Sequence, residues 1–93
     1  VFAQDRDLRY CWVSNAGDSW LAGADEGMTD GDILSGQAAE RSTAMKREVL
    51  RSIRPARFEL SIATGPSVRW YDVRVDVDRD AQGEVCGLIG TSF

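Results

Sequence analysis

The sequence predicts an α+β domain in which two strands, three helical segments and three strands follow one another along the chain. Two patterns support this prediction. Residues 71–77 alternate apolar and charged side chains, which is typical of a half-buried antiparallel strand. Upstream, Met45, Val49 and Ile53 recur every four residues, which is typical of an amphipathic helix. The 93 residues are enough for one domain with a modest core, so residues 1–93 are taken as a single domain.

The first two strands are expected at Val1–Gln4 and Leu8–Ser14. The polar residues Asp5–Asp7 between them are typical of a hairpin turn. Aromatic and β-branched residues in the second segment favour a strand over a helix. Its alternation places three side chains on one face: Leu8, Tyr10 and Trp12.

Helical segments are expected in the middle of the chain. Trp20–Ala24 is a short apolar piece that predicts a helical turn. Thr29, with Asp32 three residues later, has the spacing of a capping box and predicts a second short helix. Gly36–Ile53 is the longest predicted helix, and Pro55 ends it. Four charged side chains are expected to point away from its apolar face: Arg41, Lys46, Glu48 and Arg51.

The last three strands are predicted to form a meander with turns between them. Tyr71, Val73, Val75 and Val77 of the central strand are expected on one face of the sheet. Glycines at 87 and 90 in the last strand indicate that another element packs closely on it. The strands and their turns are Arg57–Thr64, Gly65–Ser67, Val68–Val77, Asp80–Gly83 and Glu84–Phe93.

Composition argues against several classes of function. A net charge of −4, spread without long runs, argues against a nucleic-acid or anionic-membrane surface. No apolar run approaches the length of a membrane span, and no signal-peptide pattern is seen. The absence of histidine removes histidine bases, triads and histidine-ligated haem from this segment. Two cysteines are too few for a disulfide framework or a zinc site and fit a reducing compartment.

Three stretches occur in a characteristic order: DLRYCWVSNA (7–16), GMTDGDIL (27–34) and RWYDVRVDVDRDAQGEVCGLIGTSF (69–93). With the element order, they resemble the PAS (Per-Arnt-Sim) family, and in particular PAS domains upstream of bacterial histidine kinases, including the HWE type. In that family an Asp-Ile-Thr motif follows the last strand and leads into a signalling helix. The chain begins at Val1 and stops at Phe93, before that motif, so we expect a fragment of a longer protein.

The resemblance implies a five-stranded antiparallel sheet with helices packed on one face. In this fold the first strand lies between the second and the fifth. Cys11 and Cys86 would then lie two strand spacings apart, about 10 Å, which is beyond disulfide reach. We therefore expect two free thiols.

The resemblance also implies a ligand pocket between the sheet and the helices. The alternative is that the same residues simply form the core, as large apolar residues usually do. The pocket candidates are Trp20, Met28, Ile33, Leu34, Tyr71, Val73 and Val75.

Trp70 and Arg74 are expected on the polar outer face of the sheet, where an exposed aromatic suits a dimer or helix-packing surface. An alternative is that Trp12 and Trp70, with Arg9 and Arg74, stack on a flavin or another planar ligand.

The family's cofactor chemistries can be compared residue by residue. Covalent flavin chemistry of the LOV type and photoactive-yellow-protein chemistry each need a helical cysteine, whereas Cys11 and Cys86 lie on predicted strands. Haem ligation usually uses a histidine on the long helix, where Met45 would be an unusual substitute. A non-covalent flavin stays open, so the cofactor is unknown. Acidic pairs in turns are expected to serve as caps and turn bonds, not as metal ligands: Asp5/Asp7, Asp30/Asp32 and Asp78/Asp80.

These observations predict a non-catalytic, cytoplasmic sensory module of a bacterial two-component signalling protein. It would form a homodimer, sense a small ligand and regulate a C-terminal output domain in the same chain, a histidine kinase, without contacting nucleic acid or membrane. One alternative is a pure dimerisation module. A remote alternative is a small enzyme resembling ketosteroid isomerases that uses Tyr10 and a buried Asp. The last strand would transmit the signal through Val85, Leu88, Ile89 and Phe93.

Overall fold

Five strands form one antiparallel sheet in the order β2-β1-β5-β4-β3. The computed structural model describes residues 1–93. A 3₁₀ turn and two helices separate the first two strands from the last three, which confirms the predicted element order. The position of β1 between β2 and β5 is also as predicted. The elements are β1 Phe2–Asp5, β2 Tyr10–Val13, a 3₁₀ turn Trp20–Gly23, α1 Asp30–Ile33, α2 Gly36–Ser52, β3 Ala56–Thr64, β4 Ser67–Arg79 and β5 Val85–Ser92.

The long strand β4 follows the predicted alternation. Val73 and Val75 are buried, Tyr71 and Val77 are half-buried, and Arg74 between them is exposed. The inner face of the sheet, covered by α2, therefore carries the core. The eleven buried apolar residues of the core are Phe2, Leu8, Tyr10, Leu21, Leu34, Val49, Phe58, Leu60, Val73, Val75 and Leu88.

The alternation predicted for β2 is wrong at Trp12. A β-bulge between Ala3 and Gln4 pairs Ala3 with Trp12 and Gln4 with Tyr10, so Cys11 is an extra residue without a partner in the register. One extra residue reverses the face on which the following side chains lie. Tyr10 is buried as expected, whereas Trp12 is 46 % exposed.

The apolar stripe predicted for α2 is also displaced. The helix ends at Ser52, and Ile53 adopts a left-handed conformation (φ 58°) as its C-cap, with its side chain exposed. The fully buried residues of the helix are Ser42, Lys46 and Val49. The prediction that Lys46 points away from the core is therefore wrong, because its side chain is 0 % exposed.

The distal part of the β3–β4 hairpin extends beyond the rest of the sheet. β3 pairs with β4 from Ala56–Val75 to Thr64–Ser67, whereas β5 pairs only with residues 73–79 of β4. Phe93 exchanges two backbone hydrogen bonds with Asp72, and the strand pairing ends there. Residues 60–71 therefore form a two-stranded segment without a third strand beside it, which we call the hairpin extension. Two strands alone are marginally stable in water, so this is the least constrained part of the sheet.

Candidate functional site

The buried side chain of Lys46 lies at the centre of a polar cluster inside the domain. Its ammonium nitrogen is 2.7 Å from Oδ2 of Asp30, whose side chain is only 2 % exposed. Ser42 donates a hydrogen bond to the same oxygen at 2.6 Å, and Tyr10 donates to Oδ1. The Tyr10 hydroxyl also accepts a hydrogen bond from Lys46 at 3.3 Å. We call these four residues the internal ion-pair cluster.

Three aromatic rings surround the Lys46 ammonium. The nitrogen lies 4.7 Å from the ring centre of Phe2, 5.3 Å from that of Tyr10 and 5.4 Å from that of Trp20. Such rings attract a cation through their negative faces and partly replace the water that the ammonium loses on burial. The Trp20 indole in turn donates to the Ser92 hydroxyl at 3.1 Å, which connects the cluster to the end of β5.

The protonation states in the cluster are controlled by burial and charge. Burial lowers the pKa of Lys46, and the adjacent carboxylate of Asp30 opposes that shift. Burial, together with the charge and hydrogen bond of Asp30, raises the pKa of Tyr10 far above its usual value. Tyr10 is therefore a neutral hydrogen-bond donor at physiological pH. Both oxygens of Asp30 and the ammonium of Lys46 have hydrogen-bond partners inside the cluster.

The cluster juxtaposes Tyr10 with a buried Asp, which is the arrangement the enzyme alternative requires. Both oxygens of Asp30 already accept hydrogen bonds, from Tyr10 on one side and from Ser42 and Lys46 on the other. None of the four residues lines either of the two largest clefts of the domain. The Asp30 carboxylate is thus engaged by groups of the protein itself, and the cluster holds together β2, α1 and α2.

A cleft opens between the start of α2 and the hairpin extension, with a volume of about 500 Å³. Its deepest residues, Leu34 and Leu60, belong to the core, and Ile62 is half-buried beside them. Arg41 lies at its rim. We call it the α2–β3 cleft, and its lining residues are Ile33, Leu34, Ser35, Gln37, Ala38, Arg41, Leu60, Ser61, Ile62, Ala63 and Val68.

A second, shallower groove of about 550 Å³ lies around the outer side of β4 and β5. Its charged walls include Arg57 and Arg74, both of which contact Asp72, at 2.8 and 3.5 Å. Ile89 contributes apolar surface. We call it the sheet-face groove, and its lining residues are Val1, Pro55, Ala56, Arg57, Arg74, Val75, Asp76, Ile89, Gly90 and Thr91.

The predicted pocket residues do not form one pocket wall. Ile33 and Leu34 line the α2–β3 cleft. Val73 and Val75 are buried in the core, while Trp20 and Tyr71 are half-buried against it. The remaining candidate, Met28, is half-buried. Its sulfur accepts a hydrogen bond from the Asp25 amide at 3.5 Å, and its carbonyl accepts one from the Tyr10 amide.

The predicted interface residues Trp70 and Arg74 are exposed, whereas the four predicted transmitting residues differ in exposure. Trp70 is 67 % exposed, and the Arg74 guanidinium lies 5.9 Å from the ring centre of Phe93. Within β5, Ile89 is exposed, Leu88 is fully buried and Val85 is half-buried, and Phe93, directly after the strand, is exposed. Both cysteines are exposed free thiols.

A family model described as PAS fold matches residues 1–92. The chain belongs to this family. Among solved structures, this PAS domain is similar to the PAS domain of the histidine kinase ThkA, with a TM-score of 0.69. The two are 18 % identical, and the match covers 98 % of this chain and 93 % of the other. At that identity the similarity supports the fold. No curated protein matches the sequence.

The two clefts of this PAS domain lie on opposite sides of its sheet. The α2–β3 cleft lies on the helical side, near the region where the sequence predicted a ligand. The groove on the outer side borders β5, the predicted transmitting strand. No helix of this PAS domain is both long and apolar enough to cross a membrane.

Sequence reasoning missed the internal ion-pair cluster and the α2–β3 cleft as a whole. The prediction that Asp30 makes turn or cap bonds is wrong. It is the first residue of α1, inside the Thr29–Asp32 capping box, and its buried carboxylate accepts hydrogen bonds from Tyr10, Ser42 and Lys46. Its burial could have been suspected from α2, where Ser42 and Lys46 lie four residues apart in the same stripe as Val49.

Proposed function

We propose that this PAS domain is a non-catalytic sensory module that binds a small ligand in the α2–β3 cleft. It would regulate a C-terminal output domain, a histidine kinase, in a cytoplasmic bacterial signalling protein. The observation that carries the proposal is the cleft itself. It has about 500 Å³ and an apolar floor, and it is partly lined by the predicted pocket residues Ile33 and Leu34. Cavities of this size are typical of small-molecule sites.

The position of the cleft suggests how binding would be transmitted. One wall is α2, and the other is the hairpin extension, which has only two strands. A ligand that contacts both walls would favour one orientation of the extension relative to the helix. β4 continues from the extension into its pairing with β5, so a change in its twist would reach the predicted transmitting residues Val85–Phe93.

The test is a comparison of native and denaturing mass spectra of freshly purified protein. We expect extra mass in the native spectrum that disappears on denaturation. Ala38→Leu, which adds volume on the cleft wall, should abolish it. Ala44→Leu is the matched control, because Ala44 is exposed on the same helix outside the cleft. A bare chain in the wild-type spectrum, or equal retention of the mass in Ala38→Leu, would contradict the proposal.

A second candidate function, dimerisation without a ligand, is favoured by the outer surface. Trp70, Ile89 and Phe93 expose apolar side chains on or beside the outer sheet face, and Trp12 is exposed as well. Exposed aromatics of this kind are enriched in protein interfaces. Dimerisation through this surface would also be compatible with ligand binding, because the α2–β3 cleft and the sheet-face groove share no lining residue.

A further inference from the structure

The α2–β3 cleft is electrostatically one-sided. Of its eleven lining residues, Arg41 is the only charged one. Ser35, Gln37 and Ser61 add neutral polar groups, and the remaining lining is apolar. A ligand in this cleft would therefore meet one positive charge at the rim and an aliphatic floor formed by residues such as Leu34, Leu60 and Ile62.

The guanidinium of Arg41 is held in place without being neutralised. Its Nε donates a hydrogen bond of 2.8 Å to the backbone carbonyl of Glu59, and its Cζ lies 5.9 Å from the ring centre of Phe58. None of the four ion pairs of the domain involves Arg41. Its terminal nitrogens thus remain free, whereas Arg51 and Arg57 are each paired with a carboxylate.

We infer that the α2–β3 cleft binds an amphiphilic carboxylate, with its acid group on Arg41 and its apolar body on the Leu34–Leu60–Ile62 floor. This inference rests on the proposed function, since it names the ligand class of the same cleft. A guanidinium whose Nε is anchored presents its terminal nitrogens as a planar fork, which matches a carboxylate. The same charge disfavours organic cations, and a neutral analogue would gain only the apolar contact.

Three probes that share one aliphatic chain and differ in the head group test the ligand class: octanoate, octanol and octylammonium. Each is titrated into ¹⁵N-labelled protein while the backbone amide shifts are followed. We expect octanoate to shift amides of the cleft, such as Ile33, Ala38 and Ile62, and to bind about tenfold more tightly than octanol. Octylammonium should bind more weakly than octanol.

Two variants locate the acid group. Arg41→Gln should reduce the affinity for octanoate about tenfold, to that of octanol, and leave the affinity for octanol unchanged. Arg47→Gln is the matched control, because Arg47 is exposed on the same helix and does not line the cleft, and it should leave both affinities unchanged. Arg41→Lys keeps the charge but loses the planar fork of nitrogens. Its affinity for octanoate should lie between those of the wild type and Arg41→Gln. The dispersion of the amide spectrum shows whether each variant is folded.

The possible results separate this inference from the function on which it rests. Equal affinities for octanoate and octanol at the cleft would overturn the carboxylate assignment and leave a ligand cleft standing. Shifts confined to the sheet-face groove, around Ile89 and Thr91, would overturn the assignment of octanoate to this cleft. If none of the probes shifts an amide of the cleft and the purified protein also carries no ligand mass, both proposals fail.

Discussion

At the scale of single residues, the least expected feature is a charged pair in the interior of a small domain. Lys46 and Asp30 both lose their water, and the cost of burying them is offset only by their mutual attraction and hydrogen bonds. The phenol of Tyr10, the hydroxyl of Ser42 and the surrounding rings supply those additional contacts. The pair therefore stabilises the fold only as long as both members are present.

Removal of one member of the Lys46–Asp30 pair should lower the free energy of unfolding substantially. We expect Lys46→Met to lower the free energy of unfolding by about 3 kcal/mol, because it leaves the Asp30 carboxylate buried without its counter-charge. Asp30→Asn should be destabilising for the reciprocal reason. The double variant should lose less than the sum of the two single losses, with a coupling of about 1–3 kcal/mol. Urea unfolding followed by tryptophan fluorescence measures all four proteins.

The most informative comparison in that cycle is the double variant against each single one. Additive losses would mean that the two charges do not interact, despite the 2.7 Å separation of Nζ and Oδ2. Lys46→Arg is a further check, because it keeps the charge but changes the shape of the donor in a filled interior. The free energy of unfolding of Lys46→Arg should therefore stay below that of the wild type.

At the scale of elements, all five strands were predicted, but the faces of the side chains were predicted fully in the long strand β4 and only in part in the short strand β2. β4 has enough residues for its alternation to be unambiguous, and its buried positions lie where the pattern indicated. In β2 the bulge at Cys11 reverses the exposure of Trp12, and no local residue signals it. On α2 the buried stripe includes Lys46, whose charge is paired with Asp30, 16 positions earlier in the chain, and the residues of the helix alone do not identify that partner. The α2–β3 cleft has the hairpin extension as one wall. The length of that extension is set by the register in which β5 pairs with β4, which the sequence of the strands does not show.

The glycines of β5 predict that another element packs closely on this strand, and the structure shows that β1 does so at Gly90. A Cβ atom there would lie 2.6 Å from Cζ of Phe2 and 2.7 Å from the carbonyl oxygen of Arg74. Because the carbonyl belongs to the neighbouring strand, the clash cannot be relieved by a rotamer change alone. We expect Gly90→Ala to lower the free energy of unfolding by about 1–3 kcal/mol.

Gly23→Ala is the matched control for this substitution. A Cβ at Gly23 would meet no atom within 4 Å, so its stability should stay close to that of the wild type. The same urea experiment measures both variants. Equal stabilities of Gly90→Ala and Gly23→Ala would show that β5 can move away from β1, contrary to the packing described here.

At the scale of the whole molecule, the two sides of the sheet differ in how their apolar residues are covered. The inner side is closed by α2, the 3₁₀ turn and α1, and most of its large side chains are buried. The outer side and the adjoining end of β5 leave Trp70 67 % and Phe93 72 % exposed, the two most exposed large apolar residues of the domain. Such uncovered aromatics are typical of a surface that another protein element covers.

The occupant that we expect on this side is a second copy of the domain. Sedimentation velocity over a range of concentrations should show a monomer–dimer equilibrium. Trp70→Ser should weaken the dimer at least tenfold, since a tryptophan in the centre of an interface commonly contributes 2 kcal/mol or more. Ile53→Ser is the control, because Ile53 is an exposed apolar residue at the end of α2 rather than on the sheet. A monomer at all concentrations, or equal weakening by both variants, would exclude this role of Trp70 and leave the exposed aromatics to a different partner.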